Sequence, residues 1–277
     1  VLALEADVSP EPDDPPVGPP ARRGLSQPDD IVHLKLYQQR KRPSGRVAAL
    51  YRGGSKRPGS YNPPAVLSGS LPEILSRAFT LVIAFTIHEF AHAWAADRLG
   101  DDTPRLAGRL SLNPLRHLDP LGSLLLLVAG FGWAKPVPVN PYALQRRTPA
   151  GMMLVAAAGP LSNLGLAILA ALPFRAGLVG PTFVAGSLLP SLSGLLQTFI
   201  FINLILLLFN LIPISPLDGE KVLAYFLPPG AQAALARLRP YGPVILLLLI
   251  VSGRMGINLL GLLVGTPARQ LFNLVVS

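Results

Sequence analysis

The chain contains no cysteine. Disulfides are therefore excluded, and so is any metal site built on thiolates. Any bound metal must be held by His, Asp or Glu, and there are only four His in 277 residues. Charge is also scarce. Charged residues make up 14% of the chain, against roughly 25% in a soluble globular domain. Half of the residues are hydrophobic and the mean hydropathy is +0.46. This balance excludes an ordinary soluble enzyme and points to an all-α polytopic membrane protein with a polar extension.

The net charge is +9, but it is unevenly spread. Lys35, Arg40, Lys41, Arg42, Arg46, Arg52, Lys56 and Arg57 lie in one stretch without an acid among them. Residues 1–66 are Pro-rich, lack helical or strand periodicity, and read as a disordered N-terminal tail. The basic stretch follows the first apolar residues instead of preceding them, so a signal peptide is not expected. Nucleic acid is not expected as a partner either, because no aromatic interleaving or nucleic-acid fold signature accompanies the charge. The basic stretch argues for a cytoplasmic N-terminus, whereas Arg98, Arg105, Arg109 and Arg116 after the first apolar segment argue the other way.

Residues 67–277 read as one membrane-embedded domain with four to six transmembrane or re-entrant helices. The first runs over about residues 72–97, with Ser70 as its N-cap, Pro72 in its first turn and Gly100 as its stop. A polar loop covers 101–120. The apolar run 121–133 is too short to span a bilayer and suits a re-entrant helix. The prolines in 134–141 forbid a helix and predict an extended segment. Further spans are expected over 149–173, 191–212 and 241–265, and residues 266–277 are expected to lie along the membrane interface.

Within the first span stands His88-Glu89-Phe90-Ala91-His92. Ionisable groups near a bilayer centre cost several kcal/mol, about 2.5–3.5 on insertion scales, so they call for a function. On a helix, His88 and His92 project from one face, the H-E-x-x-H arrangement that offers two nitrogens to one Zn²⁺ with a carboxylate beside them. Chance alone produces this pattern about once in a hundred chains of this length. A catalytic zinc needs a third protein ligand. Asp218 is a candidate because Pro213 and Pro216 break the preceding apolar helix just before it. An ordinary capping role for Asp218 at the start of a new helix is the other reading of the same residues. Asn163 sits inside an apolar span, where an interhelical hydrogen bond is the simplest expectation, and Gly159 permits close helix approach. His117 reads as a surface or interfacial residue of the polar loop, and Asn203 and Asn210 as residues that orient Asp218.

Taken in order, H-E-F-A-H, Ala158-Gly159-Pro160-Leu161-Ser162-Asn163 and the N-x-x-P-x-x-P-L-D-G pattern of 210–219 resemble the site-2 protease family of intramembrane zinc metalloproteases. The resemblance runs from about residue 72 onward. The loop 108–114 and the segment 132–141 also resemble compact prokaryotic members. It implies one Zn²⁺ held by His88, His92 and Asp218, with Glu89 as the general base. It further implies Asn163, with Gly159 nearby, as a group contacting the substrate backbone or the developing oxyanion. The implied partners are a lipid bilayer and a transmembrane protein substrate, cleaved in regulated intramembrane proteolysis, and the implied location is a prokaryotic inner membrane. No PDZ-like domain interrupts the spans, and the basic Pro-rich extension is foreign to the family core. Two other functions would use the same polar residues: a catalytically inactive membrane-binding homologue, or a metal or proton transporter. A different zinc protease would need a Glu as third ligand, and Glu220 is the late candidate for that place.

Overall fold

A computed structural model describes residues 69–129, 132–180 and 189–277. The tail expected over 1–66 lies outside the described residues. The described part is helical, with no strand, and four of its helical segments are long and apolar enough to cross a membrane. These are α1 (Leu71–Arg98), α5 (Gly151–Arg175), α6 (Leu192–Asn210) and the continuous segment Pro229–Ser252. The last consists of α8 (Pro229–Leu238), a 3₁₀ turn (Arg239–Tyr241) and α9 (Gly242–Ser252). Short helices connect them: α2 (Thr103–Leu106), α3 (Pro120–Ala129), α4 (Pro141–Arg147) and α7 (Asp218–Phe226). A π-helical turn (Gly261–Gly265) leads into the final α10 (Thr266–Val276).

Helix α1 begins where expected, with Ser70 extended before it and Pro72 in its first turn. Gly100 then stops it at a positive φ of 90°, a conformation that glycine adopts without a steric penalty. Its buried face carries Ser76, Thr80, Ala84, His88, His92 and Ala96, each four positions after the last. Most of these are small residues, which let neighbouring helices approach where lipid provides no hydrophobic drive. The hydroxyls do not need external partners. Ser76 donates to the Pro72 carbonyl at 2.8 Å, and Thr80 to that of Ser76 at 2.6 Å. The stripe packs against α5 and α6.

The second buried cluster joins α5 and α6 through Ala167, Ala171, Ile200, Leu204 and Leu207, with Ala268 of α10. Helix α10 thus docks on the bundle, with its apolar stripe toward protein. The last span differs from the expected 241–265. It starts at Pro229 and ends at Ser252. The Arg239-Pro240-Tyr241 stretch, polar enough to read as a boundary, is passed as one 3₁₀ turn. Gly256, at φ 87°, breaks the chain well before residue 265.

The loop after α1 is held by buried polar groups. Arg105 grips Asp97 at the end of α1 with two bonds of 2.7 and 2.6 Å. Asp101 is buried and accepts from the amides of Thr103 at 3.0 Å and Asn140 at 2.6 Å. Arg109, 5% exposed, donates to the carbonyls of Arg116 at 2.7 Å, Lys135 at 3.1 Å and Pro136 at 3.0 Å. Residues 132–140 are extended, and the segment expected over 134–141 ends one residue early because Pro141 opens α4; charges from the loop hold it at Lys135, Pro136 and Asn140. Two of the four arginines counted as topological signals are thus spent on structural bonds. His117 is not a surface residue. It is fully buried, donates from Nε2 to the Ser111 carbonyl at 2.6 Å, and its backbone carbonyl takes the Lys135 amide at 2.7 Å.

Burial, together with the nearby Arg109 charge, pushes the His117 imidazole below its ordinary pKa, against the opposing bond to Ser111. Its Nδ1 has no partner among the described residues. The unfolded chain therefore takes up a proton that the folded chain refuses, and folding weakens as pH falls below about 6.5. We expect thermal stability in detergent to drop between pH 7 and 5, by at most about 1.4 kcal/mol per pH unit for this one proton. Titrating unfolding in His117→Gln beside the unchanged chain should remove that share of the slope.

Candidate metal centre

The centre forms where α1, α5, α6 and α7 meet. His88 and His92 lie one turn apart on the buried face of α1, and Asp218 is the first residue of α7. The turn after α6 brings Asp218 inward. Gly219 makes this possible, because a Cβ there would strike the Leu211 carbonyl at the end of α6. The His88 and His92 Nε2 atoms are 3.0 Å apart. Each lies 3.2 Å from Asp218 Oδ2. Tetrahedral zinc with bonds near 2.0–2.1 Å places its ligand atoms about 3.3 Å from one another.

The ring tautomers follow from the partners of the opposite nitrogens. His92 Nδ1 faces the Val155 carbonyl at 2.7 Å, which can only accept. His88 Nδ1 is 2.7 Å from Asn163 Oδ1. The orientation of that amide is set from a distance. The Phe199 carbonyl accepts from Asn203 Nδ2 at 2.8 Å, so Asn203 presents Oδ1 to Asn163 Nδ2 at 2.9 Å. Asn163 is left with its oxygen toward His88. Both rings thus carry their proton on Nδ1, and both Nε2 lone pairs face the carboxylate. Three electron-rich atoms converge without a shared donor between them, and a cation answers that arrangement. Among the described residues, His88, His92 and Asp218 form a group able to hold a metal ion.

Gly159 of α5 lies against the two imidazoles. A Cβ at this position would collide with His92 and come within 2.6 Å of His88 Nε2. Asn163 is fully buried, and both ends of its amide are committed to His88 and Asn203. Asn163 makes the interhelical bond expected of it, to Asn203, and backs His88 through Nδ1, whereas Gly159 permits the close approach expected of it, on the Nε2 side of both rings. Asn203 likewise acts on the His88 side and not on Asp218. Asn210 donates to the Leu206 carbonyl at 2.9 Å and lines the cavity. Glu220 does not join the centre; it is buried and paired with Arg239 at 2.9 Å.

A cavity of about 360 Å³ opens over the centre, walled by His88, Glu89, His92, Asp218, Trp133 and Val137 among others. Glu89 is largely buried and its carboxylate meets the Val137 backbone amide. Sequence reading missed this contact and the role of Arg109 behind it. Pro136 and Pro138 have no amide hydrogen, so Val137 is the lone donor between them, and the Arg109 bonds hold that stretch in position. The proline spacing is the signal that could have found it.

Replacing Gly159 by Ala should cost the centre its metal while sparing the helices. The expected result is at least a tenfold fall in metal affinity, measured by metal content after dialysis, with unchanged helical circular dichroism.

The chain is similar to a Bacillus subtilis (strain 168) protein named "Putative zinc metalloprotease YwhC", with 45% identity over 176 residues covering 62% of this chain and 78% of that protein. It is also similar to "Putative zinc metalloprotease Rip2" of Mycobacterium tuberculosis, with 34% identity over 206 residues covering 68% and 74%. The protein of the same name in Mycolicibacterium smegmatis is 34% identical over 182 residues, covering 63% and 68%. No protein-family model and no solved structure matches the chain.

Proposed function

The chain belongs to the site-2 protease family, and from that footing we propose that it is an intramembrane zinc metalloprotease, hydrolysing peptide bonds within or near transmembrane segments of membrane proteins. In this reading residues 67–277 are the metalloprotease domain, and regulated intramembrane proteolysis in a prokaryotic inner membrane is its setting. The observation that supports it best is the convergence of two imidazole lone pairs and one carboxylate at 3.0–3.2 Å, with a second carboxylate, that of Glu89, in the wall of the same cavity.

His88, His92 and Asp218 would hold the ion. When bound, zinc supplies Lewis acidity that activates water and polarises a scissile carbonyl. Glu89 then acts as general base, taking a proton from the attacking water and passing it to the leaving amine. The Val137 amide orients the Glu89 carboxylate for that exchange. Gly159 gives the imidazoles room, and Asn163, backed by Asn203, keeps His88 in the tautomer that presents Nε2. A transmembrane substrate must expose its peptide bond before cleavage, and the extended segment 132–140 beside the cavity offers backbone groups to an unwound chain.

The deciding comparison is between the unchanged chain and Glu89→Gln, purified in detergent with a transmembrane polypeptide. Zinc near one per chain in both, with cleavage reduced at least a hundredfold in Glu89→Gln, supports the reading. Equal behaviour of the two forms would favour an inactive binding homologue, and folded protein without zinc would sink the metal assignment. Asn163→Leu is a separate case. It leaves the His88 Nδ1–H without an acceptor, and zinc affinity should fall about 10- to 100-fold, read by competition with a chelator.

A further inference from the structure

A second cavity, of about 670 Å³, adjoins the metal cavity. Met152, Pro216 and Lys221 line both, so the two spaces share a wall. Lys221 is the polar part of that wall, its Nζ 3.9 Å from Asp218 Oδ1. The far side carries Arg239, more than half exposed, whose Nε holds the buried Glu220 carboxylate. Gln145, Tyr225 and Gln232 complete a polar lining over the apolar Met153 and Pro149. The size lies within the 300–1,000 Å³ typical of ligand sites.

The electrostatics of this space are one-sided. Its two lining cations are Lys221 and Arg239, and its one lining acid, Glu220, is already neutralised by Arg239. The elements that form it add Arg146 and Arg147 in the last turn of α4 and Arg237 in α8. Asp218 turns Oδ2 to the imidazoles and Oδ1 to Lys221. With Lys221 beside Asp218 and Arg239 on Glu220, the excess lies in Arg146, Arg147 and Arg237, and an incoming chain meets net positive charge beside the metal centre, together with amide side chains suited to peptide groups.

We infer that this second cavity receives the polar stretch of the substrate chain that flanks the scissile bond, and that it selects stretches bearing Asp or Glu. The inference rests on the protease reading and adds the substrate class to it. Lys221, between the two spaces, meets the acidic side chain nearest the cleaved bond. Arg239 meets one further along.

The absence of cysteine makes a direct test available. Two synthetic peptides share one apolar transmembrane segment and differ only in the flank, Asp/Glu against Asn/Gln. Binding to the zinc-loaded Glu89→Gln chain is read by fluorescence anisotropy in detergent. The acidic flank should bind roughly fivefold more tightly, and the advantage should shrink with added salt and in Lys221→Gln. A thiol-reactive group on the flank should cross-link to Gln232→Cys and not to Leu178→Cys. Should Lys221→Gln fail to fold, Met153→Glu serves instead: it should weaken the acidic peptide and spare the neutral one. Equal affinity of the two peptides, or equal cross-linking at both cysteines, would overturn the inference. Zinc content of the same preparation is read separately. Its loss counts against the protease reading, whereas zinc present without a flank preference counts against the docking cavity alone.

Discussion

The structure depends on keeping two imidazole lone pairs aimed at one carboxylate inside an apolar helix bundle. Left alone, such groups would be expensive to bury and free to rotate. Each ring is instead pinned through its other nitrogen, His92 on the Val155 carbonyl and His88 on Asn163. The second pin draws its direction from a backbone carbonyl on α6, two amide side chains away. Helix α5 supplies both partners and, at Gly159, the space in which the rings sit. The packing of α1, α5 and α6 is thus inseparable from the chemistry at their crossing.

The loop between α1 and α5 solves a related problem. An extended, proline-rich segment inside or beside a membrane leaves carbonyls without donors. Arg109 meets that need from the preceding loop, while Asp101 accepts the Asn140 amide, and between them they hold the stretch whose Val137 amide reaches Glu89. A charge that looks like a topological signal in the sequence serves as the clamp of the segment beside Glu89. His117, enclosed beneath the same segment, makes this part of the molecule sensitive to acid.

Much of the frame was legible. Length and apolar runs locate α1, α5 and α6 to within a few residues, because membrane helices must satisfy their own backbone and show long hydrophobic stretches. The last span was misplaced because hydropathy cannot tell a polar 3₁₀ turn inside a helix from its end.

By itself, the sequence determined that His88 and His92 share a helix face, since four residues make nearly one turn. It also determined that thiolates are absent, and that Asp218 follows a broken helix. Only the tertiary structure decided that Asp218 meets the histidines and does not merely cap α7, that Asn163 stands behind His88 while Gly159 lies against the Nε2 edge of both rings, and that Arg109 reaches across to the segment over Glu89. The reason is the range of the interactions. Helical periodicity operates over a few residues and is written locally, whereas these contacts join segments many tens of residues apart, and packing alone brings them into reach.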